Sequence, residues 1–122
     1  MALPQAHRLR RRQEFSLVYQ RGRRYHAAHL LLRIFWSTQA QAAPEALRVA
    51  VVVSQKVSKR AVARNRLRRQ IQAGFQTLLP RLPAGLLLVI TVKPTALECD
   101  YHQFLQELEQ LLANAEVLDG HS

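Results

Sequence analysis

LRVAVVV, from Leu47 to Val53, leaves the chain little freedom. The run is β-branched and almost continuously apolar. A strand of this kind needs cover on both faces, so it is expected at the centre of a sheet. A helix is expected next, from about Lys59 to Leu79. Leu67, Ile71, Phe75 and Leu78 recur there at intervals of 4, 4 and 3, which is one helical stripe. Ser58 stands where an N-cap belongs, and Pro80 and Pro83 end the helix. A further apolar strand spans Gly85 to Val92, until Pro94 breaks it.

The flanking segments complete the pattern. Phe15, Val18 and Tyr19 share one face of a short helix over Arg11–Gln20, with Gly22 as its terminator. Ala28–Trp36 alternates as a strand. Leu30, Leu32, Ile34 and Trp36 form an apolar face expected in the core; His29, Leu31, Arg33 and Phe35 form a more open one. Ser37–Glu45 is expected to close a hairpin. Asp100 caps a last helix to about Ala113. Helices packed on a sheet give a small α/β sandwich. At 122 residues the chain is one domain, with residues 1–9 as a basic arm and 114–122 as a flexible tail.

Charge is segregated along this framework. The 18 Lys and Arg face 8 acids, a net charge of +10. Fifteen of the 18 are Arg, whose planar fork suits phosphate. Residues 8–24 hold seven Arg and one acid, residues 56–69 hold seven bases and none, and Glu98 onwards holds six acids and no base. One anion-binding face and one solvated end account for this. With Cys99 as its only cysteine the chain cannot form an internal disulfide, which fits a reducing cytoplasm. Its longest apolar run is too short to span a bilayer, and the start does not read as a signal peptide.

The inventory of reactive groups is thin. His7, His26, His29, His102 and His121 have no metal-site spacing, and no CxxC occurs, so no metal site is expected in the protein. No GxSxG, triad or phosphate-binding GxxxxGK[ST] occurs, and the acids are not paired for hydrolysis. No catalytic residue is assigned. KRAVARNRLRRQ, Lys59–Gln70, is different: six bases and no acid. They open a helix, where the dipole disfavours cations and like charges repel. A phosphate backbone relieves both penalties. Aromatics interleaved with Arg, at Phe15 and Tyr19 near Arg8–Arg12 and at Phe35 beside Arg33, suit unstacked single-stranded RNA; gluing the helix to the sheet is the alternative role for Phe15 and Tyr19.

RLRRRQEFSLVYQRG, a β-rich middle, VAVVVSQKVSKRAVARNRLRRQIQAGF and the later VITVKPTA come in the order of a known family. Over residues 8–112 the chain resembles the protein subunit of bacterial ribonuclease P. The resemblance implies the order α-β-β-β-α-β-α, with a left-handed βαβ crossover. It implies a large catalytic RNA as partner, performing the hydrolysis with Mg2+ held mainly by that RNA. The implied substrate is precursor tRNA, relieved of its 5′ leader. Lys56, Lys59, Arg60, Arg64, Asn65, Arg66, Arg68 and Arg69 are implied to face the RNA subunit. Arg8, Arg12, Phe15, Tyr19, Arg33 and Phe35 are implied to line a cleft for the leader.

The chain departs from the family pattern in three places. Arg33 stands near a position where some members carry an aromatic, Gln55 replaces a usual base, and the tail is acidic. The main alternative is a structural, ribosomal-type RNA-binding protein with no part in cleavage. A DNA-binding module lacks its helix-turn-helix pair here. A membrane-surface helix needs an exposed apolar face, which the stripe of Leu67, Ile71 and Phe75 does not offer.

Overall fold

The computed structural model describes residues 12–36 and 47–118. The elements are α1 (Arg12–Arg21), β1 (Arg23–His26), β2 (Leu30–Trp36), β3 (Arg48–Val52), α2 (Ala61–Leu78), β4 (Leu86–Val92) and α3 (Tyr101–Asn114), with short 3-10 turns at Leu79–Arg81 and Pro94–Glu98. This is the order α-β-β-β-α-β-α. The sheet order is β1-β2-β4-β3. β1–β2 and β2–β4 are antiparallel, and β3 runs parallel to β4, which obliges the chain to cross over through α2.

The sheet separates two layers. On one face Leu30, Leu32 and Ile34 of β2, Val49 and Val51 of β3, and Leu86, Leu88, Ile90 and Val92 of β4 are buried with the α2 stripe and with Phe104, Leu108, Leu111 and Leu112 of α3. On the other face α1 seats Val18 on Leu87 and Val89, with Phe15, Phe35, Ala50 and Val52 packed around them. α3 starts at a capping box: Asp100 accepts from the Gln103 backbone N–H, and the Gln103 side chain accepts from that of Asp100. It is latched to the entrance of β2 by Glu107, which accepts from the His29 backbone N–H at 3.0 Å and pairs with the His29 ring.

Several expectations need correction. Leu47–Val53 is not central, because β3 is an edge strand. Its near-continuous apolar run reflects cover on both faces: Val49, Val51 and Val53 belong to the main core, Ala50 and Val52 to the layer under α1. β4 takes the centre. For the same reason β2 and β3 form no hairpin: β4 lies between them, and the connecting loop is outside the described residues. Trp36, expected in the core, is 41% exposed at the end of β2. His29 sits ahead of β2 and turns to α3 rather than to the open face. Ser58 does not cap α2, which starts at Ala61 after Arg60 without a side-chain cap. Ser58 Oγ accepts from the Arg60 N–H instead. The segment expected as a tail is packed as far as it is described, since Val117 and Leu118 are buried in the main core. The arm at residues 1–9 lies outside the described residues.

Gly22 joins α1 to the sheet at close quarters. Its N–H donates to the Val18 carbonyl at 2.9 Å. A Cβ there would lie 2.4 Å from the Val18 carbonyl oxygen and 3.1 Å from that of Ile34. We expect Gly22→Ala to cost about 1–3 kcal/mol, as overpacking does, and to shift α1 away from β2. Chemical denaturation reads this; an unchanged midpoint would mean that the turn relaxes freely.

Candidate nucleic-acid interface

The first half of the candidate interface is the sheet face on which α1 packs, opposite α2 and α3, where the resemblance implies a cleft. Four of the expected cleft residues meet here. Phe15 and Phe35 are half-buried against Val18, Leu87 and Val89, so they serve as packing as well as lining. Tyr19 is 48% exposed. The Arg33 guanidinium lies 4.6 Å from the centre of its ring, and Arg33 Nη1 donates to Thr91 Oγ1 at 3.2 Å. Arg33 is thus held from two sides on a strand, with its π-face and charge set in place. Arg12 is exposed at the start of α1, and Arg8 lies outside the described residues.

A contact without a sequence signal fixes the wall of this cleft. Glu14 Oε2 accepts from Arg48 Nη1 at 2.7 Å, with 12% and 21% of the two side chains exposed. The pair joins α1 to β3 across 34 positions of chain. The other Glu14 carboxylate oxygen is buried without a described partner. No periodicity could have matched these two residues, because only the crossover of β3 brings them together.

The second half begins where the cleft floor ends. Val52 lies under α1, Val53 on the main core, and the basic connection leaves from this end of β3. Lys56, Lys59, Arg60, Asn65, Arg66 and Arg69 are exposed, while Arg64 and Arg68 are half-buried. The apolar stripe explains this: Leu67, Ile71 and Phe75 face the sheet, so the intervening polar positions face out. Arg64 Nη1 donates to the Ser58 carbonyl at 2.9 Å and closes the connection onto the helix. Arg68 Nη1 donates to Asn65 Oδ1 at 2.6 Å, which leaves the Asn65 amide N–H groups to donate outward. Arg66 makes only a long bond, 3.3 Å, to the Leu97 carbonyl. The first turn of α2 holds no acid. The region is therefore a cationic surface with oriented donors.

Other features carry less chemistry. A concavity of about 330 Å3 lies between the β1–β2 turn and α3, lined by Ala27, Ala28, Gln103, Gln106, Glu107 and Gln110. It contains none of the expected site residues, and its one charge is already engaged by His29. Cys99 is buried, and burial together with Glu107 and Asp100 pushes its thiol pKa up, which disfavours the thiolate. Among the described residues no three His, Cys, Asp or Glu could jointly hold a metal ion.

A basic α/β sandwich that sets arginine beside aromatic rings and opens a helix with cations is the arrangement of an RNA-binding protein. The profile of the ribonuclease P family matches residues 3–116, and the chain belongs to the ribonuclease P protein family. It is 48% identical to the ribonuclease P protein component of Cyanothece sp., over 98% of this chain and 99% of that one. It is 49% identical to the protein of the same name from Microcystis aeruginosa, over 99% of this chain and 100% of that one. The fold matches the Staphylococcus aureus RNase P protein with a TM-score of 0.79 at 20% identity, over 93% of this chain and 99% of that one. For the Thermotoga maritima RNase P protein the TM-score is 0.74 at 22% identity, over 88% and 96%. At such identities the structural likeness bears on the fold alone.

Proposed function

We propose that this chain is the protein component of ribonuclease P, acting on precursor tRNA as part of a ribonucleoprotein. The surface of Lys56, Lys59, Arg60, Asn65, Arg66 and Arg69 binds the catalytic RNA subunit, and Arg64 and Arg68 hold that surface in shape. The cleft binds the single-stranded 5′ leader. The observation that carries the leader assignment is Arg33 stacked over the exposed Tyr19 on the open face of the sheet. Such a pair offers a flat cation and a half-exposed ring to an unstacked base, without regard to sequence. Phosphodiester hydrolysis is assigned to the RNA, with Mg2+ held mainly there, as the family membership suggests. The chain works in the cytoplasm, in keeping with its single cysteine. Among the described residues no helix is long and apolar enough to cross a membrane.

The test is cleavage of a precursor tRNA by the cognate catalytic RNA at low magnesium, with and without this protein. Strong stimulation supports the assignment. Tight RNA binding without stimulation would favour a structural RNA-binding protein. The cleft is tested separately. Tyr19→Ala should weaken binding of leader-bearing substrate by about fivefold to a hundredfold, the range of one stacked base, and leave mature tRNA unaffected. Equal loss on both substrates would defeat the leader assignment. Phe15→Ala should show the same preference, with some loss of stability added because Phe15 also packs beside Val18.

A further inference from the structure

Two arginines oppose each other on the cleft face. In the β1–β2 ladder Arg24 stands directly across from Arg33. Direct partners in an antiparallel pair share a face, with Cβ atoms about 5 Å apart, and like charges there are destabilising. Tyr25, the next residue, packs against the main core, so alternation puts Arg24 on the same open face as Arg33. Acids are scarce around the pair. Among α1 and the four strands Glu14 is the single one, and Arg48 holds it. Arg33 is partly compensated by the Tyr19 ring and Thr91. The Arg24 side chain is exposed, and among the described residues no hydrogen bond or ion pair of it is described.

We propose that Arg24 and Arg33 form a two-arginine clamp for one phosphate of the RNA leader, carrying the strand from the Tyr19 platform across the β1–β2 ladder. The inference rests on the leader assignment above. A phosphodiester held between the two side chains accepts from both forks and supplies the negative charge that this face lacks. Arg33 is pre-set by Tyr19 and Thr91, so Arg24 is the arm that closes.

The experiment uses the holoenzyme reconstituted from the full chain and its cognate catalytic RNA. Precursor tRNAs carry a single methylphosphonate, which removes one backbone charge, at successive leader positions. With the parent protein, one position should show an affinity loss of about fivefold to tenfold, the size of one charge-assisted phosphate contact. In Arg24→Ala that position-specific loss should vanish while losses elsewhere persist, and the salt slope for leader-bearing substrate should fall by about one. Mature tRNA and the catalytic RNA alone should bind as before. Arg24→Lys should restore part of the effect, since a point charge replaces the fork. An unchanged methylphosphonate profile in Arg24→Ala, while Tyr19→Ala still abolishes leader preference, overturns the clamp and leaves the leader assignment standing. Equal weakening of catalytic RNA binding assigns Arg24 to the RNA subunit and also overturns the clamp. Loss of leader preference in neither variant removes the leader assignment and the clamp together.

Discussion

Replacing Arg60, Arg66 and Arg69 together by Ala should weaken binding of the catalytic RNA by about 500-fold near 0.1 M salt. Removing one phosphate contact lowers the slope of log affinity against log salt by about 0.9, so each is worth about eightfold between 0.1 M and 1 M salt, and three multiply. All three arginines are exposed. The one bond described among their side chains is the long one from Arg66 to Leu97. The fold should therefore hold, with a thermal midpoint close to the parent's. Affinity measured across a salt series checks this: the slope of the triple variant should be shallower by about 2.7. Parallel slopes for variant and parent would place the RNA subunit elsewhere on the surface. Arg64 makes a useful contrast. Its bond to the Ser58 carbonyl ties the basic connection to α2, so Arg64→Ala disturbs the shape of the surface along with its charge.

Phe75→Ala should cost about 3–5 kcal/mol of stability, the usual range for a large aromatic truncated in a core. Phe75 has no exposed surface and lies with Leu67 and Ile71 on the stripe that fastens α2 to the sheet. That loss is a large share of the ~5–15 kcal/mol that holds a domain together. Denaturant titration should show a much lower midpoint. Affinity for the catalytic RNA should fall at temperatures where the variant is still mostly folded, because the basic residues are presented on the outer side of the same helix. RNA at saturating concentration should raise the midpoint again by mass action. A shift below about 1 kcal/mol would mean that the cavity collapses and that α2 is held mainly by its neighbours α3 and β3.

The two interface regions differ in how far they could be read in advance. The basic surface is local: its members lie within 14 consecutive residues, and helix periodicity alone separates Leu67, Ile71 and Phe75 from Asn65, Arg66 and Arg69. Their exposure follows that periodicity. The cleft is not local. Phe15, Tyr19, Arg33 and Phe35 are suggested by residue type, but the Arg33–Tyr19 stack, the Arg48–Glu14 pair and the Arg24–Arg33 opposition need strand register and packing. β1, Arg-Arg-Tyr-His, has no apolar alternation to announce it. It is a strand because β2 offers it a hydrogen-bonding edge.

The sequence by itself determined that this chain is a basic α/β protein, where α2 and α3 fall, most of the apolar residues that make the main core, and that a run of bases without acids opens α2. Those properties depend on side-chain periodicity and charge within one segment, and neither requires a long-range partner. The tertiary structure alone decided that β4, not β3, is central, that α1 occupies the sheet face opposite the other helices, and that Arg33 meets Tyr19 there. The reason is physical: a continuously apolar strand reports only that both its faces are covered. It does not report what covers them, because that depends on which strand pairs with which and on where the crossover through α2 delivers the chain.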